Sequence, residues 1–266
     1  MESLIESTVR SLDGRDVALY AFLPGLLKDL WEIGSSPEVV IGQIRKHRLG
    51  DEIRTVLDLG CGKGAVSIGL ARAFGCRVRG VDGVPAFIDE AVEKAGEWNV
   101  SNLCTFEVGD IREKIPHLPE CDLVVLGSIG PVLGSISETL RAVQPCIKAE
   151  GYCLLDDGYA MAKGKARGAA YPTRVQAHRA IEDSGFEIVD EYIHPRGDIA
   201  VSDAMIYNRI EKRAEELMKM HPDKTALFQG YLQAQREENS VLENDVVCAS
   251  WLLKKAERHP VVDRSE

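Results

Sequence analysis

The chain has 266 residues, 45% hydrophobic and 28% charged, which suits one large α/β domain with a buried core and argues against disorder. Its formal charge of −10, from 42 acidic and 32 basic side chains, opposes a phosphate backbone, so no nucleic-acid partner is expected. The seven cysteines form no Cys-x-x-Cys pair, residues 1–10 lack a basic flank and apolar leader, and no run of ~18 apolar residues occurs; the expected setting is reducing and cytoplasmic, with no membrane span.

Residues 1–50 read as a helical cap. Val17, Leu19, Phe22, Leu26, Leu27, Leu30 and Trp31 fall near helix spacing, interrupted at Pro24 and Gly25. A second helix is expected after Ser36, with Pro37 in its first turn and Val40, Ile41 and Ile44 on one face. From Arg54 short apolar runs at 55–59, 77–81, 105–108, 123–126 and 152–155 alternate with helical stretches at 65–74, 86–97 and 136–148. That alternation predicts a parallel sheet covered on both faces. Strands at 186–193 and 246–253 bring the candidates to seven, all within one domain spanning 51–266. Between these two strands, residues 195–244 form a charged helical insertion; if the sixth strand runs parallel to the first five, the insertion lies over the sheet edge where α/β ligands bind.

Val56-Leu57-Asp58-Leu59-Gly60-Cys61-Gly62-Lys63-Gly64 sets a buried strand before a glycine turn that opens a helix, where the backbone bends sharply and lets a ligand approach. The turn alone leaves the cofactor open. Gly60, Gly62 and Ala65 also fit the dinucleotide pattern Gly-x-Gly-x-x-Ala, and Asp82 stands 22 residues past Gly60, where a ribose-binding acid belongs. Asp58 at the strand tip would repel a pyrophosphate and attract the amino and sulfonium groups of S-adenosylmethionine. Asp110, after the third strand, offers an acceptor to an adenine amine. Cys61 reads as a packing residue of the turn and Lys63 as exposed.

On these residues the chain resembles the class I, Rossmann-like S-adenosylmethionine-dependent methyltransferases. The resemblance covers residues 54–155 best and says little about 1–50 or 195–244. It implies a three-layer α/β sandwich with a seven-stranded, mostly parallel sheet ordered 3-2-1-4-5-7-6, its seventh strand antiparallel. It assigns Asp58, Gly60, Cys61, Gly62 and Gly64 to the first cofactor motif, Asp82 and Gly83 to the ribose, Asp110 and Ile111 to the adenine, and Leu126, Gly127 and Ser128 to the neighbourhood of the transferred methyl. The implied product is S-adenosylhomocysteine.

The acceptor is expected to be a small molecule. Gly127-Ser128-Ile129-Gly130-Pro131 lacks the Asn-Pro-Pro-Tyr type of sequence used on nucleobase and glutamine nitrogens. Asp156-Asp157-Gly158 follows the fifth strand, but the fourth ends in Gly127-Ser128, so half of the metal cage of catechol methyltransferases is missing and no metal is expected. Asp157, Tyr159 and His178 are the candidate catalytic residues, with His194 a further possible base; either aspartate alternatively caps a loop, and either histidine alternatively is structural. Lys163, Lys165 and Arg167 read as a solvated loop, with a clamp for an anionic substrate as the alternative. Tyr20, Phe22, Met205 and Tyr207 are pocket walls or core. Two other functions stay open: an NAD(P)-dependent oxidoreductase, disfavoured by Asp58 and by the lack of a Tyr-x-x-x-Lys pair, and a non-catalytic module that binds S-adenosylmethionine. Oligomeric state is not legible.

Overall fold

Ser3 accepts the N–H of Glu6 and Glu6 accepts the N–H of Ser3, a reciprocal cap that starts helix α1 (Leu4–Ser11). In the computed structural model, which describes residues 2–161 and 171–256, this helix leads into a 3₁₀ segment (Val17–Phe22), α2 (Leu23–Leu26) and α3 (Pro37–Lys46). Pro37 opens α3, as its fixed φ and missing N–H favour. Lys163, Lys165 and Arg167 lie outside the described residues.

The alternating region then runs β1 (Thr55–Leu59), α4 (Ala65–Phe74), β2 (Arg77–Asp82), α5 (Pro85–Glu97), β3 (Cys104–Val108), α6 (Ile111–Lys114), β4 (Cys121–Leu126), α7 (Ile136–Val143) and β5 (Ile147–Ala160). It closes with α8 (Arg174–Glu182), β6 (Phe186–Ile193), α9 (Arg196–Met220), α10 (Thr225–Asn244) and β7 (Val246–Lys255). The seven strands form one sheet in the order β3-β2-β1-β4-β5-β7-β6. β7 pairs antiparallel with both β5 and β6, so β6 runs in the direction of the first five strands and its carboxyl end delivers the chain to the ligand edge.

Two boundaries differ most from the sequence reading. The helix expected over 136–148 ends at Val143, because Pro145 cannot continue it, and Ile147 already begins β5. β5 in turn runs past residue 155 to Ala160, its backbone paired with β7 from Tyr152↔Lys254 to Ala160↔Val246. Asp156 and Asp157 are therefore strand residues and not loop caps.

The sheet buries an apolar layer on each face. One face packs Leu126, Leu155 and Trp251 under α7 and α8 through Leu140 and Ile181; the other packs Val56, Leu123 and Leu252 under α3 and α4 through Ile44 and Ile68. Each fully buried Leu or Ile contributes about 1.5–3 kcal/mol of transfer free energy. A third apolar cluster joins Leu19, Leu23 and Leu26 to Ile210 and Ala214 of α9, Phe228 and Tyr231 of α10, and Phe87 of α5. Arg213 of α9 clamps it by a two-pronged bond to Asp29, at 2.7 and 2.5 Å. The amino-terminal segment and the insertion thus form one roof. Among the described residues no helix is long and apolar enough to cross a membrane.

Candidate active site

The glycine turn between β1 and α4 holds Gly60, Gly62 and Gly64 at φ of 78°, 51° and 77°, conformations that side chains disfavour. A Cβ at Gly60 would meet Ile129 at 2.6 Å, and one at Gly64 would meet Ala91 and Phe106 at 3.0 Å. The N–H groups of Gly60 and Cys61 both donate to the carbonyl of Val81, at 2.8 and 3.1 Å, which ties the turn to the end of β2.

Asp82 completes that tie. Its carboxylate accepts the N–H of Gly62 and the N–H of Val84, each at 2.9 Å, and burial pushes its carboxyl above the ordinary range. A carboxylate has about four acceptor directions, so acceptor capacity remains for a ligand. Asp110 caps α6 and is gripped by the guanidinium of Arg112 at 2.6–3.1 Å, which holds its carboxyl below the ordinary range. Asp58 stands one layer behind: 3% exposed, it accepts the hydroxyl of Ser67 at 2.6 Å and is not on the cavity wall. Burial first, and the charge of Asp82 in addition, push it up to about 6. Its field reaches the turn at Cys61, while its side chain faces Ser67 and not the cavity.

Cys61 packs against the ribbon at Gly80, and burial holds its thiol protonated. The expectation for Lys63 is overturned. It is 1% exposed, and its ammonium is turned inward to the carbonyl of Leu27 and to Glu90, each at 2.8 Å, over the ring of Phe87. Its own carbonyl accepts the indole N–H of Trp31 at 3.2 Å, so the amino-terminal segment is stitched directly onto the turn.

A cavity of ≈ 690 Å³ opens along this edge, within the ~300–1,000 Å³ usual for ligand sites. Gly60, Gly62, Asp82, Gly83, Asp110 and Ile111 line one end. Gly127 and Ser128 from the tip of β4, with Asp156 and Asp157 from β5, line the middle. Gly64, Cys61 and Asp58 shape the turn from behind without lining it.

The roof adds residues that the sequence reading did not single out. Ser7 of α1 lines the cofactor end, 2% exposed, with a buried hydroxyl that has no partner among the described residues, and Thr8 sits against Gly83. The capping pattern Ser3-x-x-Glu6 was the available signal, since it begins a helix that carries Ser7 and Ser11 on one face. Ser35 donates to Asp156, whose other oxygen is buried without a partner. Burial, with the neighbouring charge of Asp157 in addition, pushes Asp156 up to about 7, and burial likewise raises Asp157 on the open cavity wall.

Two candidate catalytic residues lie elsewhere. Tyr159 is buried in the sheet core beside Trp251, ring centroids 6.2 Å apart, because strand alternation puts it on the face of Leu155 that α8 covers. His178 pairs with Glu191 at 3.1 Å, outside the cavity. His194 does line the cavity: its Nε2 sits 2.9 Å from the hydroxyl of Ser250, and burial lowers its basicity. Tyr20, Phe22, Met205 and Tyr207 are not walls either. Tyr20 donates to the carbonyl of Gly83 at 2.8 Å, Phe22 packs edge-on to Phe228, Met205 is 47% exposed, and Tyr207 donates to Glu211. Ile206 and Ile210 take that place.

This sheet order, with a glycine turn after β1 and an acid at the tip of β2, defines the Rossmann-like class I methyltransferase fold. Residues 56–151 match the family model for a methyltransferase domain. A search of curated protein sequences returned no match. Among solved structures, the chain is similar to a SAM-dependent methyltransferase from Geobacter sulfurreducens in complex with S-adenosyl-L-homocysteine, with 16% identity, 88% of this chain and 97% of that one covered, and a TM-score of 0.73. A SAM-dependent methyltransferase from Thiobacillus denitrificans, also in complex with S-adenosyl-L-homocysteine, aligns with 14% identity over 87% and 97% of the two chains at a TM-score of 0.70. The cyclopropane synthase MmaA2 from Mycobacterium tuberculosis aligns with 11% identity over 96% and 99%, again at 0.70.

Proposed function

We propose that the chain transfers a methyl group from S-adenosylmethionine to a small-molecule acceptor held under the roof of α1, α9 and α10. The observation that carries this is the shared cavity: the glycine turn and Asp82 open into the same ≈ 690 Å³ space as Ser128, Asp157 and His194. The residues present fit the cofactor. Asp82 keeps free acceptor directions for ribose hydroxyls, Gly62 leaves room for a close backbone approach, and Ser7 brings an unused hydroxyl to the same end. The complexes of the two bacterial neighbours with S-adenosyl-L-homocysteine support the choice of cofactor.

Bound there, S-adenosylmethionine would supply an activated methyl group on a sulfonium. What remains for the protein is to align the acceptor and exclude water. The roof performs the exclusion, and residues 1–50 and 195–244 act together in it. Asp157 on the wall orients the acceptor. His194, neutral because burial disfavours its cation, takes a proton from it; its Nδ1 has no partner among the described residues.

The fold alone does not name the reaction, since a cyclopropane synthase shares it. The decisive experiment is calorimetric titration of the full chain with S-adenosyl-L-homocysteine and, separately, with NAD. Binding of the first with no response to the second is expected. The reverse preference replaces the proposal with the oxidoreductase, and cofactor binding without methyl transfer to any compound in a metabolite pool replaces it with a binding module.

A further inference from the structure

The half of the cavity away from the glycine turn carries charge of one sign. Asp13 on the loop after α1, Asp157 of β5, Asp203 of α9 and Glu238 of α10 all line it, and among the described residues no lysine or arginine does. Four separate elements deliver these carboxylates, so the cluster is built by the tertiary fold and not by one acidic stretch. Burial, reinforced by their mutual repulsion, pushes Asp13 and Asp203 up to about 6, and burial raises Glu238 and Asp157 as well.

Internal donors do not account for this wall. Gln235 donates to Asp13 at 3.0 Å, but Asp203 keeps a buried oxygen without a partner. Independently of the acids, Tyr231 in the same wall is 1% exposed, and its buried hydroxyl has no hydrogen-bond partner among the described residues. A polar group taken out of water and left unpaired is costly, and the cost is relieved when a ligand supplies the missing partner. Here the missing partner must bring positive charge and several N–H donors, with a carbon body for Ile206, Ile210 and Leu242, which complete the wall.

We infer that this half of the cavity binds an organic ammonium ion, and that the methyl acceptor therefore belongs to the amines or to compounds bearing an amine. Asp203, Glu238, Asp13 and Asp157 take the ammonium N–H groups, and the hydroxyl of Tyr231 completes the ring of acceptors. The inference deepens the methyltransferase reading and rests on it only for the word acceptor; the cation site itself stands on the geometry of the wall.

The test is thermal melting of the full chain, with and without saturating S-adenosyl-L-homocysteine, titrated with a series of n-alkylammonium ions from propyl to octyl. Each is compared with its matched alcohol and carboxylate at equal ionic strength. A saturable rise in Tm of about a few degrees with at least one ammonium is expected, and none with its alcohol or carboxylate. Asp203→Asn with Glu238→Gln should weaken the ammonium response by roughly tenfold or more. Asp13→Asn, which tolerates the left-handed backbone there, provides a second variant. Absence of a saturable response in the whole series, equal binding of the alcohol, or wild-type ammonium binding by both variants overturns the inference. Failure of the wild type to bind S-adenosyl-L-homocysteine sinks the methyltransferase reading instead, and the ammonium titration run without it is still decisive for the cation site.

Discussion

The Oδ2 atom of Asp82 accepts the backbone N–H of Gly62 at 2.9 Å, so the tip of β2 and the glycine turn after β1 are one structural unit. Its Oδ1 atom accepts the N–H of Val84 at the same distance. Replacing the carboxylate therefore removes ligand acceptors and loosens the turn together. Asp82→Ala should weaken S-adenosyl-L-homocysteine binding by about a hundredfold or more, given ~1.5–3 kcal/mol for each hydrogen bond to a charged group. Asp82→Asn keeps one acceptor oxygen and should fall between. Calorimetry on variants with wild-type circular dichroism measures this, and undiminished affinity in the alanine variant would remove Asp82 from the site.

Lys63 makes the opposite kind of contribution, to stability. Its ammonium is buried against the carbonyl of Leu27 and against Glu90, which is partly exposed. Lys63→Ala leaves both acceptors short of a partner, and about 2–3 kcal/mol of stability should be lost, below the full value for a buried pair because Glu90 regains water. Urea denaturation at neutral pH reads this directly. Because Lys63 also holds residues 27 and 28 of the roof against the turn, cofactor affinity should fall in the same variant. An unchanged denaturation midpoint would mean that the ammonium is solvated after all.

Lys63 also shows where sequence reading stops. The strands, the glycine turn and the acids at 82 and 110 were legible because each is a local pattern: a short apolar run, a bend that only glycine tolerates, a polar tip. A lysine among glycines reads as exposed unless one knows that the carbonyl of Leu27, 36 positions earlier in the chain, lies within reach of its ammonium. Tyr159 and His178 were displaced for related reasons. β5 runs on through Asp156 and Asp157 once β7 pairs with it, and alternation then turns Tyr159 into the face that α8 covers. Glu191 of β6, eight positions past Asp183 at the end of α8, captures His178, Arg174 and the indole of Trp251 at one carboxylate. The roof was legible only as a conditional: it depended on the direction of β6, which pairing with β7 decides.

Buried acids make the stability of this chain depend on pH in an unusual direction. Asp203 is pushed from its ordinary 3.8 up to about 6, by burial first and then by Glu243 and Glu238 of α10. Between about pH 4 and 6 the folded chain holds a proton there that the unfolded chain has already released, so this site lowers stability as pH rises through the window. Above it the penalty is complete; below it there is none. Asp203→Asn should therefore stabilise the protein by about 1–2 kcal/mol near pH 8, discounted for partial exposure, and by nothing near pH 4. Asp110, held low by Arg112, acts in the contrary sense and loses its contribution only as pH falls below its ordinary range, so it cancels in the comparison of variant and wild type. Paired denaturation curves at the two pH values check the prediction; a stability gain independent of pH would show that the carboxylate is not what matters at this position.

The two histidines separate a catalytic reading from a structural one. His194 lines the cavity with its Nε2 bonded to Ser250, whereas His178 sits outside, bonded to Glu191. Loss of a positioned base costs about a hundredfold or more in rate. His194→Ala should lower kcat by that order once an acceptor is in hand, with little change in S-adenosyl-L-homocysteine affinity. His178→Ala should leave kcat unchanged. The pH profile gives the sharper readout. Burial lowers the basicity of His194, so the wild-type rate should rise with pH and level off below the ordinary histidine value of 6.5. That limb should vanish in His194→Ala and persist in His178→Ala. A wild-type profile retained by His194→Ala would assign proton removal to Asp157 of the same cavity or to water.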